Sequence, residues 1–301
     1  MSAHSETIRA LFARAYAPLR LRGKSAETTR QYEIQFTHFH AFLSREPTLT
    51  DLVDETVNAF LFWFRAQGAA APTVNKARNH LLALWRFAAR KRLVEHFPDV
   101  PPDVEPDRVP VAWLDHELLR LLAACADEPG YLRGILAAKW WKALHFTFWD
   151  TAERKTALLS LKWQTVDLTS GWAVFPAEIR KGKKRDRAYP LHCETVAALR
   201  EIAEPPRELV FPWPYSPAYI YPRYNKILRR AGLPIDRKRK FHCLRRTVAS
   251  YYEAAGGNAT EFLDHTTRRV TQAYLDPRIV PHADATRLLF RPDRPRPPLT
   301  G

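Results

Sequence analysis

The chain has 301 residues, of which 46% are hydrophobic and 26% are charged. This composition is typical of a folded protein of one large or two ordinary domains, and it excludes a disordered chain and a collagen-like or low-complexity fibre. The 47 Lys and Arg residues against 32 Asp and Glu residues give a net charge of +15, which indicates a polyanionic partner. Nucleic acid is the first interpretation of that partner, and an anionic membrane surface is the second.

Features of the apolar segments and of the cysteines argue against the membrane. The most apolar stretch, residues 135–149, contains Lys139, Lys142 and His145, so it is too polar to span a bilayer. The first ten residues carry Glu6 and no apolar signal core, and we therefore expect no export. The three cysteines are far apart and form no CxxC pair. They predict reduced thiols in a cytoplasmic protein and no structural zinc site.

Helical periodicity dominates residues 1–97, which we predict to form an N-terminal helical domain. One helix is expected after Ser25, and a second from about Asp54 to Gly68. A third is expected to begin after Pro72–Thr73 and to end in a basic tail at residues 90–92. Residues 1–105 hold 14 Lys and Arg against 11 Asp and Glu, a net of only +3.

The composition changes between residues 98 and 110, where five prolines alternate with acidic residues. Proline at this density prevents a helix, so the segment is predicted to be an extended interdomain linker. A second domain is expected at residues 111–290 and a flexible tail at residues 291–301. Residues 106–301 hold 33 Lys and Arg against 21 Asp and Glu, a net of +12. The polyanion is therefore expected to bind mainly to this part of the chain.

The second domain is predicted to be mixed. Helices are expected from Ala112 to about Leu161, from Pro222 to Ala231 and from His242 to Ala255. Two short strands are expected at residues 172–177 and 187–191, joined by a basic turn as in a β-hairpin. The predicted fold class of the whole chain is therefore mainly α with a small antiparallel β-sheet.

Two basic clusters occur in this domain. Six Lys and Arg residues lie between positions 180 and 187, and four lie between positions 237 and 240, directly before Phe241–His242. A run of charge is usually a solvated loop and by itself indicates only a nearby phosphate. On a β-turn, however, a single lysine can enter a DNA groove or a cleavage site.

Several isolated residues carry further chemistry. His242 and Arg245 share a helix face because they are three residues apart, and together they can bind one anion. Arg154 stands at a helix start beside buried aliphatic residues and needs an anionic partner. Tyr274 follows His265 by nine residues in a predicted short helix at residues 269–275. Taken alone, Tyr274 is more typical of a packing aromatic than of a nucleophile.

In their order and spacing, these segments resemble the catalytic domain of the tyrosine recombinases, also called phage-type integrases. Thr151 to Arg154 match the TGLR-type segment of that family, His242 to Arg246 match HxLRR, and His265 with Tyr274 match the spacing from LGH to the tyrosine. The first domain resembles the helical core-binding domain of the family, with Ser-x-x-Thr from residue 25 and Thr-Val-Asn at residues 73–75 before its last long helix.

The resemblance implies a fold of the DNA breaking-rejoining type and a site-specific recombinase or integrase that works through a covalent 3′-phosphotyrosine. It also implies that Arg154 and Arg245 form the phosphate clamp and that Tyr274 is the nucleophile. The remaining catalytic roles belong to His242, His265 and a hairpin lysine, which matches best at Lys181, with Lys183 or Lys184 as alternatives. Neither a metal nor ATP is implied, because fixed cations neutralise the phosphate and the covalent intermediate conserves the bond energy.

The implied partners are double-stranded DNA, further copies of the chain in a homotetramer on two DNA sites, and accessory DNA-bending factors. Residues 279–290 are expected to dock on a neighbouring protomer, with packing on their own domain as the alternative. The cations expected to contact DNA are Lys76, Arg78, Arg86, Arg90, Arg180, Lys183, Lys184, Arg237, Lys238, Arg239 and Lys240.

The sequence departs from the family pattern at four points. Ala152 and Asp264 stand where glycine is usual, and Ala157 stands where an acidic residue usually follows the first arginine by three. The hairpin is also one residue longer than the common form. Two alternatives therefore remain: a catalytically impaired DNA-binding protein of the same fold, and a nicking-closing enzyme similar to type IB topoisomerases.

Overall fold

The computed structural model describes residues 6–182, 185–236 and 239–280. The chain divides into two compact units, Met1–Asp107 and Arg108–Gly301, so the division falls inside the proline-rich segment. Within the described ranges, no helix is both long and apolar enough to cross a membrane.

The first unit is helical, and two of its helix boundaries lie close to where the sequence predicts them. Ser25 is the N-cap of the helix Ala26–Leu43, and Gly68, at φ +87°, follows the helix Asp54–Ala66. Phe36, Phe60 and Trp85 are fully buried in the core of this unit. The elements are α1 (Ile8–Leu11), a π-helical turn (Phe12–Tyr16), α2 (Ala17–Arg20), α3 (Ala26–Leu43), α4 (Asp54–Ala66) and α5 (Ala71–Arg90).

Helix α5 begins earlier than predicted, with Pro72 inside its first turn. Proline is tolerated there because the first N–H groups of a helix have no intrahelical acceptor. The Thr-Val-Asn segment at residues 73–75 therefore lies within α5, and its predicted place before the helix is wrong. The Asn75 side chain donates to the Asp103 carbonyl at 2.9 Å and accepts the Asp103 N–H at 2.8 Å. The middle of the proline-rich segment is thereby fixed to α5.

The second unit confirms the predicted fold class, since helices dominate and the strands form small antiparallel sheets. The predicted hairpin is present, with Trp172 opposite Pro190 and Phe175 opposite Arg187. The first helix begins at Asp115 rather than at Ala112. The helices are α6 (Asp115–Ala126), α7 (Ala137–Thr151), α8 (Lys155–Leu159), α9 (Cys193–Arg200), α10 (Ile220–Arg230), α11 (Phe241–Ala254), α12 (Ala259–Phe262) and α13 (Arg268–Gln272).

The strands are β1 (Tyr131–Leu132), β2 (Ile135–Leu136), β3 (Val166–Asp167), β4 (Trp172–Phe175) and β5 (Arg187–Pro190). Strands β1 and β2 form a separate hairpin, and β3, β4 and β5 form one sheet in that order. Periodicity did not predict β1, β2 or β3, because a strand of two residues shows no alternation.

Helix α7 is the centre of the second unit and packs against α6, α9 and α11. Its side chains Trp140, Trp141 and Phe148 are buried. The helix ends at Ala152, whose φ of +45° is in the left-handed region. This conformation costs a residue with a Cβ roughly 1–2 kcal/mol, and it turns the chain sharply towards α8.

A second left-handed residue, Asp264 at φ +57°, ends α12. The Asp264 N–H donates to the Glu261 carbonyl at 3.0 Å, and the His265 N–H donates to the Thr260 carbonyl at 3.0 Å. These two bonds form a Schellman motif, in which glycine is preferred at the position of Asp264. The family that the sequence resembles usually has glycine at positions 152 and 264, and in this chain the backbone at both positions favours glycine.

The strain at Ala152 is measurable by comparing two identical substitutions in and beside α7. We expect A143G, in the middle of the helix, to lower the free energy of unfolding by about 2 kcal/mol, through lost methyl burial and lost helix propensity. In A152G, which lies outside the helix, the loss of methyl burial is offset by relief of the left-handed strain, so we expect a change below about 0.5 kcal/mol. Urea denaturation measures both. Equal losses in the two variants would show that Ala152 is unstrained.

Candidate functional site

Five of the six predicted catalytic residues lie in the second unit at helix ends that come together. Arg154 is the N-cap of α8, and His242 and Arg245 lie in the first turns of α11. His265 follows the Schellman turn of α12, and Tyr274 follows α13. The predicted placement of Arg154 and His242 at helix starts is confirmed.

Arg245 is the buried centre of the cluster, with 3% of its surface exposed. Its Nη2 donates to the Leu263 carbonyl at 2.7 Å, and its Nη1 donates to the Ala152 carbonyl. Burial, followed by the nearby charge of Arg154, lowers the pKa of Arg245 to about 10. The guanidinium thus remains positive at neutral pH while two helix ends are tied to it.

Tyr274 lies between two histidines. Its ring centroid is 5.0 Å from that of His242 and 4.7 Å from that of His265. The expectation that Tyr274 lies within a helix is wrong, because α13 ends at Gln272. Tyr274 lies in the turn that follows, where its N–H donates to the Thr271 carbonyl at 2.7 Å.

Both histidines are neutral at pH 7. Partial burial of the ring, followed by the charges of Arg246, Arg245 and Arg154, lowers the pKa of His242 to about 4, although the residue keeps access to solvent. Burial, followed by Arg245 and Arg154, lowers the pKa of His265 to about 4. Since a neutral imidazole has one free nitrogen lone pair, each ring can accept a hydrogen bond as well as donate one.

A cavity of about 210 Å³ opens at the cluster, and Arg154, His242 and Arg245 line it. Among the described residues, the Arg154 guanidinium has no hydrogen-bond or ion-pair partner, and the buried Nε–H groups of Arg245 and Arg246 donate to no acceptor either. A larger cavity of about 440 Å³ in the same unit is mainly apolar and is lined by none of these arginines. The smaller cavity is therefore the one suited to an anion.

Lys155 also lines the small cavity, and sequence reasoning did not select it. Its Nζ lies 4.5 Å from the ring centroid of Tyr221 and donates to the Pro217 carbonyl at 3.3 Å. Burial lowers the pKa of Lys155. The sequence feature that points to Lys155 is its position directly after Arg154, and the many other basic residues of the domain obscure it.

The hairpin lysine is the sixth predicted catalytic residue, and no described contact joins it to the other five. Lys181 is exposed in the connection between β4 and β5, and it makes no hydrogen bond or ion pair with any residue the structure describes. Lys183 and Lys184 lie outside the described residues, so the register of this lysine stays as predicted from the sequence.

Three of the residues predicted to contact DNA have guanidinium groups that bind within the protein itself, and their contacts with DNA stay predictions. Arg180 is 7% exposed and forms an ion pair with Glu153 at 2.6 Å. Arg78 donates through Nε to the Val100 carbonyl at 2.7 Å. Arg239 pairs with an acidic side chain of α6 at 3.4 Å and lies 4.9 Å from the ring centroid of a buried tryptophan.

The other predicted DNA contacts remain predictions. Arg86 and Arg90 are exposed on α5, as is Lys76, whose Nζ donates to the side chain of Gln31. The Nζ of Lys240 lies 5.3 Å from the ring centroid of an α10 tyrosine. Arg237 and Lys238 lie outside the described residues, as do residues 281–301.

Glu153 is the acidic residue that sequence reasoning missed. It is 1% exposed, and its Oε1 accepts hydrogen bonds from Arg180 Nε at 2.6 Å and from the Tyr189 hydroxyl at 2.9 Å. Ala157, where an acidic residue was expected, is buried and carries no carboxylate. A buried carboxylate thus lies one residue before Arg154 instead of three residues after it.

Solved structures with the same fold include several DNA complexes. A lambda integrase dimer bound to a COC′ core site is 19% identical, covers 90% of this chain and 96% of its own, and has a TM-score of 0.70. A lambda integrase tetramer bound to a Holliday junction is 18% identical, covers 92% and 80%, and has a TM-score of 0.69. The Tn1549 transposon integrase with circular intermediate DNA is 15% identical, covers 90% and 95%, and has a TM-score of 0.67.

Sequence comparisons give two further results. No curated protein matches this chain. The phage integrase family matches residues 113–279, which is more than half of the chain and includes every residue of the cluster. The chain therefore belongs to the phage integrase family of tyrosine recombinases.

Proposed function

We propose that this protein is a site-specific DNA recombinase that cleaves and rejoins strands through a covalent 3′-phosphotyrosine on Tyr274. The observation that carries the proposal is the position of Tyr274 between two neutral histidines, beside a cavity lined by Arg154 and Arg245. The proposal assigns residues 1–97 to a DNA-binding core-binding domain and residues 111–290 to the catalytic domain, joined by the linker at residues 98–110.

The two arginines supply the charge that phosphoryl transfer needs. A phosphodiester accumulates negative charge on its nonbridging oxygens as a nucleophile attacks, and fixed cations stabilise that charge more than the ground state. Arg245 is held rigid by two backbone carbonyls that do not cancel its charge. Arg154 has a guanidinium without a described partner, so it is free to bind the phosphate.

The reaction then needs one base and one acid. The Tyr274 oxygen bonds to phosphorus, and its proton passes to the neutral imidazole of His242, while His265 hydrogen-bonds a phosphate oxygen. The bond from phosphorus to the 5′ oxygen breaks, and that oxygen takes a proton from Lys181. The reverse sequence, with a 5′ hydroxyl as nucleophile, rejoins the strand. Because the phosphotyrosine conserves the ester bond energy, the chemistry requires no ATP.

The covalent intermediate is tested with nicked duplexes that carry the sequence protected in footprinting of DNA flanking the gene. The short cleaved strand diffuses away, so the intermediate is trapped and is visible on a denaturing gel. We expect wild type to form the complex and Y274F to form none, a loss of at least about a thousandfold. Y131F, which removes a hydroxyl from the exposed hairpin β1–β2, is the matched control and should react like wild type.

This gel, together with assays of supercoil relaxation and of strand exchange between two sites, separates the two alternatives. A wild-type protein that binds the duplex but forms no covalent species is the catalytically impaired protein. One that relaxes supercoiled DNA without exchanging strands between two sites is the topoisomerase-like enzyme. Either result overturns the recombinase proposal.

The proposed base role of His242 depends on an imidazole that is neutral at pH 7. The pKa values of His242 and His265, both about 4, lie below the ordinary value of about 6.5. Between these limits the unfolded chain binds more protons, so the free energy of unfolding falls as pH is lowered from 6.5 to 4. We expect H242Q/H265Q to have a shallower slope than wild type in urea denaturation at pH 5 and 7. An unchanged slope would show that both histidines titrate normally.

We further propose that the active form is a homotetramer on two DNA sites, assembled through the chain that follows Tyr274. Support comes from the apolar residues between positions 281 and 290, which lie outside the described part of the chain. Val280, which the sequence interpretation included in this docking segment, packs on the core of its own unit. At that residue the structure fits the alternative, packing on its own domain, and docking by the rest of the segment stays a prediction.

Deletion of residues 281–301 tests the tetramer and leaves the packing of Val280 in place. We expect recombination between two sites to be abolished and binding of one site to change by less than about threefold, because all of the proposed DNA contacts precede the deletion. Gel-shift titration measures the binding of one site, and a two-site recombination assay measures the recombination. Recombination at the wild-type rate would contradict the role of the segment.

A further inference from the structure

Three charged residues of the second unit share an unusual position in the chain. Glu153 directly precedes Arg154, Arg180 directly precedes Lys181, and Asp264 directly precedes His265. In the structure, the three preceding residues are joined to one another. Each is therefore one peptide bond away from a residue of the proposed catalytic set.

Arg180 is the centre of this network and uses its guanidinium in three directions. Its Nε donates to Glu153 Oε1 at 2.6 Å, its Nη2 donates to Asp264 Oδ2 at 3.3 Å, and its Nη1 donates to the Arg185 carbonyl at 2.9 Å. The side chain is 7% exposed. A buried guanidinium is tolerated only with such partners, and its planar fork fixes their directions.

Glu153 is the most buried member of the network. Besides Arg180, its Oε1 accepts the Tyr189 hydroxyl at 2.9 Å, and its Oε2 accepts the Arg154 backbone N–H at 3.3 Å. Burial, followed by the charge of Glu153, raises the pKa of Tyr189 to about 12, which keeps the hydroxyl a donor. The carboxylate therefore holds the backbone of Arg154 as well as the hairpin.

Asp264 occupies a backbone position that favours glycine, at φ +57°. Its carboxylate forms ion pairs with Arg180 and Arg185, and its side chain is 27% exposed. An aspartate at such a position costs conformational energy that glycine would not. The ion pairs with two hairpin arginines are the interactions that offset this cost.

We propose that Glu153, Arg180 and Asp264 form a positioning network that holds Arg154, Lys181 and His265 at fixed mutual distances for DNA cleavage. The inference rests on the proposed function and adds residues that act through their chain neighbours rather than on the DNA. It supplies a way in which Lys181, which makes no hydrogen bond or ion pair with any described residue, can be held near the cluster: the residue before it is anchored to the segments of the other two.

The sharpest test uses D264G, because glycine relieves the backbone strain while removing the carboxylate. We expect D264G to keep or raise the melting temperature, to bind the nicked duplex within about twofold of wild type, and to form the covalent complex at least about tenfold more slowly. D264N, which tolerates the same backbone, should also be slow because it lacks the charge. If Asp264 only stabilised the fold, the rate of covalent-complex formation in D264G would follow its melting temperature, and that result would contradict the proposal.

Matched carboxamide variants separate general destabilisation from positioning. Glu128 is a second buried carboxylate of this unit, paired with Arg223 and Arg230 and distant in sequence from every proposed catalytic residue. We expect E153Q and E128Q to lower the melting temperature to a similar extent. Only E153Q should slow formation of the covalent complex, by about tenfold or more.

A sulfur leaving group tests the link to Lys181. A duplex with a 5′-bridging phosphorothioate at the cleaved position releases a thiolate, which needs no general acid. We expect R180K to cleave the ordinary duplex about tenfold more slowly than wild type and to recover part of that loss on the sulfur duplex, because the sulfur bypasses only the share of the loss that acts through Lys181. R154K should remain slow on both duplexes.

The outcomes are distinguishable. If wild type forms the covalent complex and D264G, E153Q and R180K match its rate, the network proposal is overturned while the proposed function stands. If wild type forms no covalent complex but Y274F and wild type bind DNA equally, the proposed function is overturned, and the positioning role falls with it.

Discussion

The site depends first on one buried guanidinium. Arg245 has no carboxylate partner among the residues that the structure describes, and it binds instead the carbonyls of Ala152 and Leu263, which end α7 and α12. The backbone dipoles satisfy its hydrogen-bond donors without neutralising its charge. The same contacts place Arg154 and His265, each two residues beyond a bound carbonyl, and the helix that carries Arg245 also carries His242. One side chain thus sets both the geometry and the electrostatic potential of the cavity.

Two of the five non-glycine residues that have a positive φ in the described part of the chain lie beside these contacts. Ala152 and Asp264 both adopt the left-handed backbone. Ala152 supplies the carbonyl that Arg245 binds, and Asp264 supplies a carboxylate oxygen that Arg180 binds. Non-glycine residues in such conformations persist where the surroundings hold them, and they cluster at functional sites. Both arginines connect the two turns. Arg245 binds the backbone carbonyls of residues 152 and 263, and Arg180 binds the side-chain carboxylates of residues 153 and 264. The two arginines together make the turns one rigid part.

The sequence predicted those features that follow from local pattern. Apolar spacing predicted α3, α4, α10 and α11 because each has one buried face, and alternation predicted the β4–β5 hairpin. The order of motifs selected the cluster around Tyr274. It did not predict that Arg180 is internal, because a basic residue in a basic loop gives no sign of a carboxylate 27 or 84 residues away. For the same reason Glu153 was missed, since its burial depends on contacts that no local pattern records.

The lowered pKa of His242 has a consequence for catalysis. In the free protein, partial burial and three arginines keep His242 without a proton. Under the proposed function, a DNA phosphate in the cavity brings a negative charge that the described side chains around His242 do not supply, and it raises the imidazole pKa towards the ordinary value. The ring then stays neutral at pH 7 and becomes a better acceptor for the Tyr274 proton. The substrate thus acts as the missing counterion of the site and strengthens the base on arrival.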